Sequence, residues 1–209
     1  MKFYDCKTAP SPRRVRIFIA EKGIDIDTVQ VDLSAGEQFS EAFRKVNPDC
    51  VVPALELDDG TCISEVLAIC SYLEELHPEP RLLGNNAAER ASVLMWNTKV
   101  EQQGFLTIAD AFRNYAKGLK DRAVTGPEPH AQIPELAERG LKRARQFFRR
   151  LDGQLAKSRF VAGESYSIAD ISALVVTDFA ARAKITLPDD VENFKRWYEL
   201  VASRPSAAV

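Results

Sequence analysis

The sequence predicts an α/β domain built on a mixed four-stranded sheet, followed by an all-helical domain, and three observations carry that expectation. Up to about residue 77, short alternating runs and helical runs take turns, whereas from about residue 87 onward apolar residues recur only at helical spacing. Between the two textures lies His77-Pro78-Glu79-Pro80-Arg81-Leu82-Leu83-Gly84-Asn85-Asn86, whose prolines and glycine suit an extended linker. The third observation is Asp58-Asp59-Gly60 between two apolar runs, a strong hairpin signal and hence a sign of antiparallel pairing. The expected organisation is a first domain over residues 1–77, a linker over 78–86 and a helical domain over 87–209.

Each element follows from local chemistry. Residues 2–5 read as a short strand, and residues 14–22 as a helix closed by Gly23. Residues 27–32 alternate as a second strand, and residues 39–46 form a short helix that stops before Asn47-Pro48. Residues 54–57 and 61–63 flank the Asp-Gly turn, and Ser64 is placed to cap a helix running to about Leu76. The order β-α-β-α-β-β-α, a crossover followed by a hairpin, gives a sheet that resembles thioredoxin. Residues 87–119 and 133–155 read as helices. The second carries Arg139, Lys142, Arg143, Arg145, Arg149 and Arg150, read as a solvated surface interleaved with acids rather than a nucleic-acid patch. Ser167-Ile168-Ala169-Asp170 is a variant of the capping box, with a role in folding.

Composition removes several classes of function. With 45% hydrophobic and 28% charged residues among 209, the chain is of ordinary globular make-up. Lys plus Arg number 28 against 30 Asp plus Glu, a formal net charge of −2, so no overall basic field exists to attract nucleic acid. The N-terminal residues lack the apolar core of a signal peptide, and no apolar run approaches the roughly 20 residues of a membrane span, so a cytoplasmic protein without membrane partners is expected. Cys6, Cys50, Cys62 and Cys70 are too scattered for a disulfide framework or a zinc site and read as small buried hydrophobes; no metal is expected.

Three segments carry a family resemblance: Pro10-x-Pro12-Arg-Arg-Val-Arg-Ile-Phe-Ile-Ala-Glu-Lys-Gly, then Asn47-Pro48-x-x-Val51-Val52-Pro53-Ala-Leu, then Ile63-Ser64-Glu65-x-x-Ala68-Ile69-x-x-Tyr72-Leu73. With Leu82-Leu83-Gly84 and Tyr166-Ser167-Ile168-Ala169-Asp170, they resemble cytosolic glutathione transferases of the bacterial theta/nu-like kind over nearly the whole chain. The resemblance implies a cis Val52–Pro53 bond, which turns the Val52 main chain toward glutathione as if toward an antiparallel strand. It implies that Glu65 and the head of the following helix hold the γ-glutamyl end, where an unpaired N–H group suits an anion. Val66 departs from the pattern: relatives carry Ser or Thr there, and the lost hydroxyl donor is worth about 1 kcal/mol or somewhat more. Gln38 is placed to reach the glycyl end, its alternative being an ordinary surface glutamine.

The family activates the glutathione sulfur just after the first strand. Alignment puts Ala9, which has no side-chain donor, where many relatives have serine, and Ser11 where others have asparagine. Ser11 is therefore the candidate catalytic residue, helped by its own N–H and the positive helix end. A helix N-cap is its alternative role. Thr8 and Cys6 are weaker candidates, and Tyr4 reads as a sheet residue. For the second substrate, Trp96, Phe105, Phe112, Arg113 and Tyr115 are candidates for an apolar floor, some of them core or dimer contacts instead. The expected function is glutathione transfer to a small hydrophobic electrophile, a detoxification chemistry with glutathione as cosubstrate and a homodimer implied by the resemblance. The alternatives are a glutathione-dependent disulfide reductase and a non-catalytic protein-binding module.

Overall fold

The computed structural model describes all residues, Met1–Val209, in two compact units. The first comprises Met1–Pro80, Thr125–Pro129 and Val209; the second comprises Arg81–Val124 and His130–Ala208.

The first unit contains β1 (Lys2–Asp5), α1 (Pro10–Lys22), β2 (Asp27–Gln30), a 3-10 turn (Glu37–Phe39), α2 (Glu41–Val46), β3 (Ala54–Glu56), β4 (Cys62–Ser64) and α3 (Val66–Leu76). The strand order is β2-β1-β3-β4, with β1 parallel to β2 and antiparallel to β3, and β3 antiparallel to β4. This is the expected mixed thioredoxin-like sheet. Phe3, Val15, Ile17, Phe18, Leu55, Ile69 and Leu73 form its core. Gly23 closes α1 in the left-handed region at φ +62°, as its position predicts.

Several boundaries differ from the expectation. The first helix opens at Pro10 rather than residue 14, because proline's fixed φ and missing N–H suit a first helical turn. Ser11 therefore lies inside that turn and is not its N-cap, which is Ala9. Ser64 ends β4 instead of capping α3; the N-cap is Glu65, at φ +70°. Ser40 takes the cap of α2, its hydroxyl accepting from the Phe43 N–H at 3.2 Å. Three cysteines are buried, but Cys62 on β4 is exposed.

The second unit contains α4 (Ala87–Lys99), a π-helical turn (Val100–Phe105), α5 (Leu106–Arg113), α6 (Pro134–Leu155), α7 (Ile168–Arg182) and α8 (Glu192–Ala202). The continuous helix expected to residue 119 is thus interrupted by the π turn and stops at Arg113. The basic residues of α6 are exposed, while Ala144, Phe147, Phe148, Leu151 and Leu155 face inward. Phe148, Phe194 and Trp197 continue that core in a chain of tilted and edge-on rings. Asp170 is fully buried: its carboxylate accepts from the Ser167 N–H and hydroxyl, both at 3.0 Å, and from the Val161 N–H and Trp197 indole N–H, both at 2.9 Å. The expected capping box is therefore present and tied to two further segments. No helix is long and apolar enough to cross a membrane.

Candidate functional site

Strand register gathers the sequence candidates at one end of the sheet. Tyr4 lies opposite Ala54, and Ala54 opposite Ser64. The residues that follow β1, those that precede β3 and those that follow β4 therefore emerge side by side. Cys6, Val31, Phe43 and Val52 form one buried cluster there, with Tyr4, Ala9 and Leu33 packed against it.

The loop into β3 is braced by its own side chains. Asn47, buried, donates its amide to the Val51 carbonyl at 2.8 Å and accepts from the Asp49 N–H at 3.1 Å. The Cys50 N–H donates to the Asn47 carbonyl at 3.0 Å, closing the turn. The Val52–Pro53 peptide bond is cis, as the resemblance implies. Val52 lies outside β3, and its N–H and C=O take no part in the main-chain bonds that brace the loop.

Glu65 follows directly on β4 and is exposed. Its φ of +70° lies in a region that side chains with a Cβ rarely adopt, and no side chain caps α3. The first N–H groups of α3, that of Val66 among them, thus point toward the positive end of an uncapped helix. The Val66 side chain is buried, so the residue can offer a ligand only its main chain.

At the head of α1 the prolines simplify the donor set. The Ala9 N–H is taken by the Cys6 carbonyl at 3.0 Å, and neither Pro10 nor Pro12 has an N–H. Ser11 is left as the residue whose N–H can serve a ligand from that helix end. Its hydroxyl oxygen accepts from the buried Arg14 guanidinium at 3.2 Å, which leaves the hydroxyl proton to be donated elsewhere. The other candidates are committed. The Tyr4 hydroxyl donates to Glu56 at 2.7 Å, and that bond, with burial, pushes its pKa up to about 12. The buried Cys6 sulfur sits 3.4 Å from the Thr8 hydroxyl.

Gln38 is not a surface residue. Only 4% exposed within the 3-10 turn, it has an amide oxygen without a hydrogen-bond partner in the chain. The loop before it is held by Asp32, whose carboxylate accepts from the N–H groups of Ser34 and Ala35, and by Glu37, which accepts from the Asp32 N–H at 2.6 Å.

The residues considered for an apolar floor separate in the second unit. Phe105 and Phe112 both pack on Phe179, at centroid distances of 5.7 Å. Trp96 is buried, with the Lys99 ammonium 4.5 Å over its ring. Tyr115 is 83% exposed and so forms no wall within this unit. Arg113 is engaged with main-chain carbonyls of the segment beyond α5.

A thioredoxin-like sheet with unpaired main-chain groups at one end, followed by an all-helical unit, defines the architecture of a glutathione transferase, and comparison with known proteins agrees. A family model described as glutathione S-transferase, N-terminal domain, matches residues 8–76, and one described as glutathione S-transferase, C-terminal domain, matches residues 104–205. The chain is 34% identical over 211 residues to Glutathione S-transferase 2 of Saccharomyces cerevisiae, covering 99% of this chain and 87% of that one. It is 31% identical over 186 residues to maleylacetoacetate isomerase of Mus musculus, covering 83% and 75%. Among solved structures, a glutathione S-transferase domain-containing protein of Marinobacter aquaeolei matches with a TM-score of 0.91 at 36% identity, covering 99% of both chains. Gtt2 of Saccharomyces cerevisiae matches with a TM-score of 0.91 at 32% identity, covering 100% of this chain and 99% of that one. The chain belongs to the glutathione S-transferase family.

Proposed function

We propose that the chain binds glutathione at the end of the first unit's sheet, stabilises its thiolate and directs it at a small hydrophobic electrophile. The observation that carries this reading is the donor set at the head of α1: two prolines leave Ser11 to supply both an N–H and a hydroxyl proton. A free cysteine thiol has a pKa of about 8.5, so a shift to about 7 raises the thiolate fraction at pH 7 from a few per cent to half. Two donors and a positive helix end are suited to such a shift. In the same reading Val52 pairs with the cysteinyl main chain, Glu65 and the Val66 N–H hold the γ-glutamyl end, and the Gln38 amide oxygen accepts from the N–H of the glycyl residue. A partner for that buried oxygen is worth about 1–3 kcal/mol. The protein works in the cytoplasm as a homodimer, a detoxifying enzyme that needs no metal.

Titration calorimetry with glutathione, and the thiolate absorbance of the bound ligand against pH, test this. Ser11→Ala is expected to raise the bound thiol's pKa by about one unit and to lower kcat/KM about tenfold or more at neutral pH. A wild-type chain that takes up no glutathione at millimolar concentration defeats the reading.

The similarity to maleylacetoacetate isomerases favours a second reading, in which the same thiolate adds to an activated double bond, allows rotation and is expelled. Assays with a chlorinated nitroaromatic, a mixed disulfide and a cis-enedione separate transfer, reduction and isomerisation, since only isomerisation returns glutathione unchanged without a second product.

A further inference from the structure

Arg14 lies about one turn beyond Ser11 in α1, and i,i+3 spacing puts the two side chains on one face of the helix. The residue is only 2% exposed, and a guanidinium does not shed its proton, so a full positive charge is buried near the head of this helix. Other charges of the same helix meet carboxylates: Arg16 pairs with the buried Asp5, and Lys22 with Glu74. Arg14 sends an Nη2–H to an uncharged oxygen, the half-buried Ser11 hydroxyl, at 3.2 Å.

A serine hydroxyl has one proton and two lone pairs, and inside a helix it tends to turn that proton on a carbonyl of the preceding turn. Arginine offers donors only, so the hydroxyl must present a lone pair to it, and its proton is turned away from the guanidinium. The same bond draws electron density from the oxygen and makes the O–H a stronger donor. The charge is felt by a sulfur nearby within the first unit. Cys70 of α3 is fully buried, and while burial pushes its pKa up, the Arg14 charge pulls in the opposite direction.

We propose that Arg14 is a positioning residue for thiol activation: its bond to Ser11 Oγ fixes the hydroxyl so that the proton is aimed at the glutathione sulfur. This rests on the glutathione reading above. Arg14 touches neither the peptide nor the reacting sulfur in this role and acts through Ser11. Its loss frees the hydroxyl to rotate, and the pKa of the bound thiol climbs back toward that of an ordinary thiol.

Two variants test it: Arg14→Met, which keeps the apolar stem and removes the donors, and Arg14→Lys, which keeps the charge on a shorter reach. Each is made alone and together with Ser11→Ala. Each is assayed for melting temperature, for glutathione affinity by calorimetry, for thiolate absorbance of bound glutathione against pH, and for the pH profile of kcat/KM. In Arg14→Met the bound thiol's pKa is expected to rise by about one unit. Its kcat/KM is then about fivefold to tenfold lower at pH 7 and within about twofold of wild type above the raised pKa. Arg14→Lys is expected to give about half that shift. In the Ser11→Ala background neither substitution is expected to raise the thiol pKa further. A purely structural loss scales the pH profile down without moving its inflection, so a folded Arg14→Met chain with an unmoved thiol pKa overturns the proposal. An equal shift with and without the Ser11 hydroxyl overturns it too, since Arg14 would then act on the sulfur directly. Should Arg14→Met not fold, Arg14→Lys decides, with an unmoved thiol pKa counting against the proposal. Wild type that binds no glutathione, or a Ser11→Ala chain with an unmoved thiol pKa, defeats the underlying reading, and both controls are measured first.

Discussion

Glu65 holds a backbone conformation that costs about 1–3 kcal/mol for a residue with a Cβ, yet its side chain is exposed and caps nothing. No side-chain cap bond at the helix start offsets that cost, and in the proposed reading a ligand amine does. Glu65→Gly is therefore expected to keep or raise the unfolding free energy, by up to about 2 kcal/mol, while weakening glutathione binding at least tenfold. Paired thermal melts and calorimetry check it; a variant that loses stability and keeps affinity assigns Glu65 to the fold instead. At this scale the sequence was informative about identity and silent about environment. The motif around Val52, Pro53 and Glu65 could be read directly. That Gln38 is buried and Tyr4 is bonded to Glu56 could not, because both depend on which strands become neighbours. The role of Ser11 as the remaining N–H donor was half legible: the prolines are in the sequence, but the occupied Ala9 N–H belongs to a turn that only the fold reveals.

Among elements, α1 and α3 are joined at their C-terminal ends by one buried cation. Lys22 bonds to Glu74 at 2.6 Å, the His77 carbonyl at 2.6 Å and the Pro80 carbonyl at 2.8 Å, which uses all three ammonium protons. Removing it leaves Glu74 buried without this partner. Lys22→Met is expected to cost about 3–5 kcal/mol in urea unfolding, and Lys22→Met with Glu74→Leu to recover a large part of that loss. Equal losses in the single and double variants would show that the lost bonds of the pair, and not the continued burial of Glu74, set the cost. A lysine near a helix end reads as surface in any sequence, so this joint was hidden. The π turn over Val100–Phe105 was hidden for another reason: no residue type marks such a turn, and helical spacing resumes on either side of it. Helix α7 is apolar nearly all round, so only its Ser167–Asp170 start announced it.

For the molecule as a whole, the stability profile against pH should carry the signature of Asp170. Burial pushes its carboxyl up to about 6, against the pull of four hydrogen-bond donors. The folded chain thus keeps this proton to about pH 6, while an unfolded aspartate releases it near pH 4. Between those values the folded state binds more protons, so the contribution is complete below about pH 4 and declines as pH rises to about 6, by about 3 kcal/mol. The unfolding free energy of wild type minus that of Asp170→Asn is expected to shrink over this window; a constant difference contradicts the assignment. The change of hydrophobic period near the linker is a feature of the sequence itself. That Thr125–Pro129 joins the first unit was not legible, since local composition says nothing about where a connection comes to rest.

Cys62 is exposed, whereas Cys6, Cys50 and Cys70 are buried, and it lies on the sheet's outer strand three residues ahead of Glu65. Burial and the charge of Glu56 raise its pKa, so less of it is thiolate than of an ordinary exposed cysteine at the same pH. A maleimide dye would meet this thiol before the three buried ones and so would mark the outer strand without any engineered cysteine.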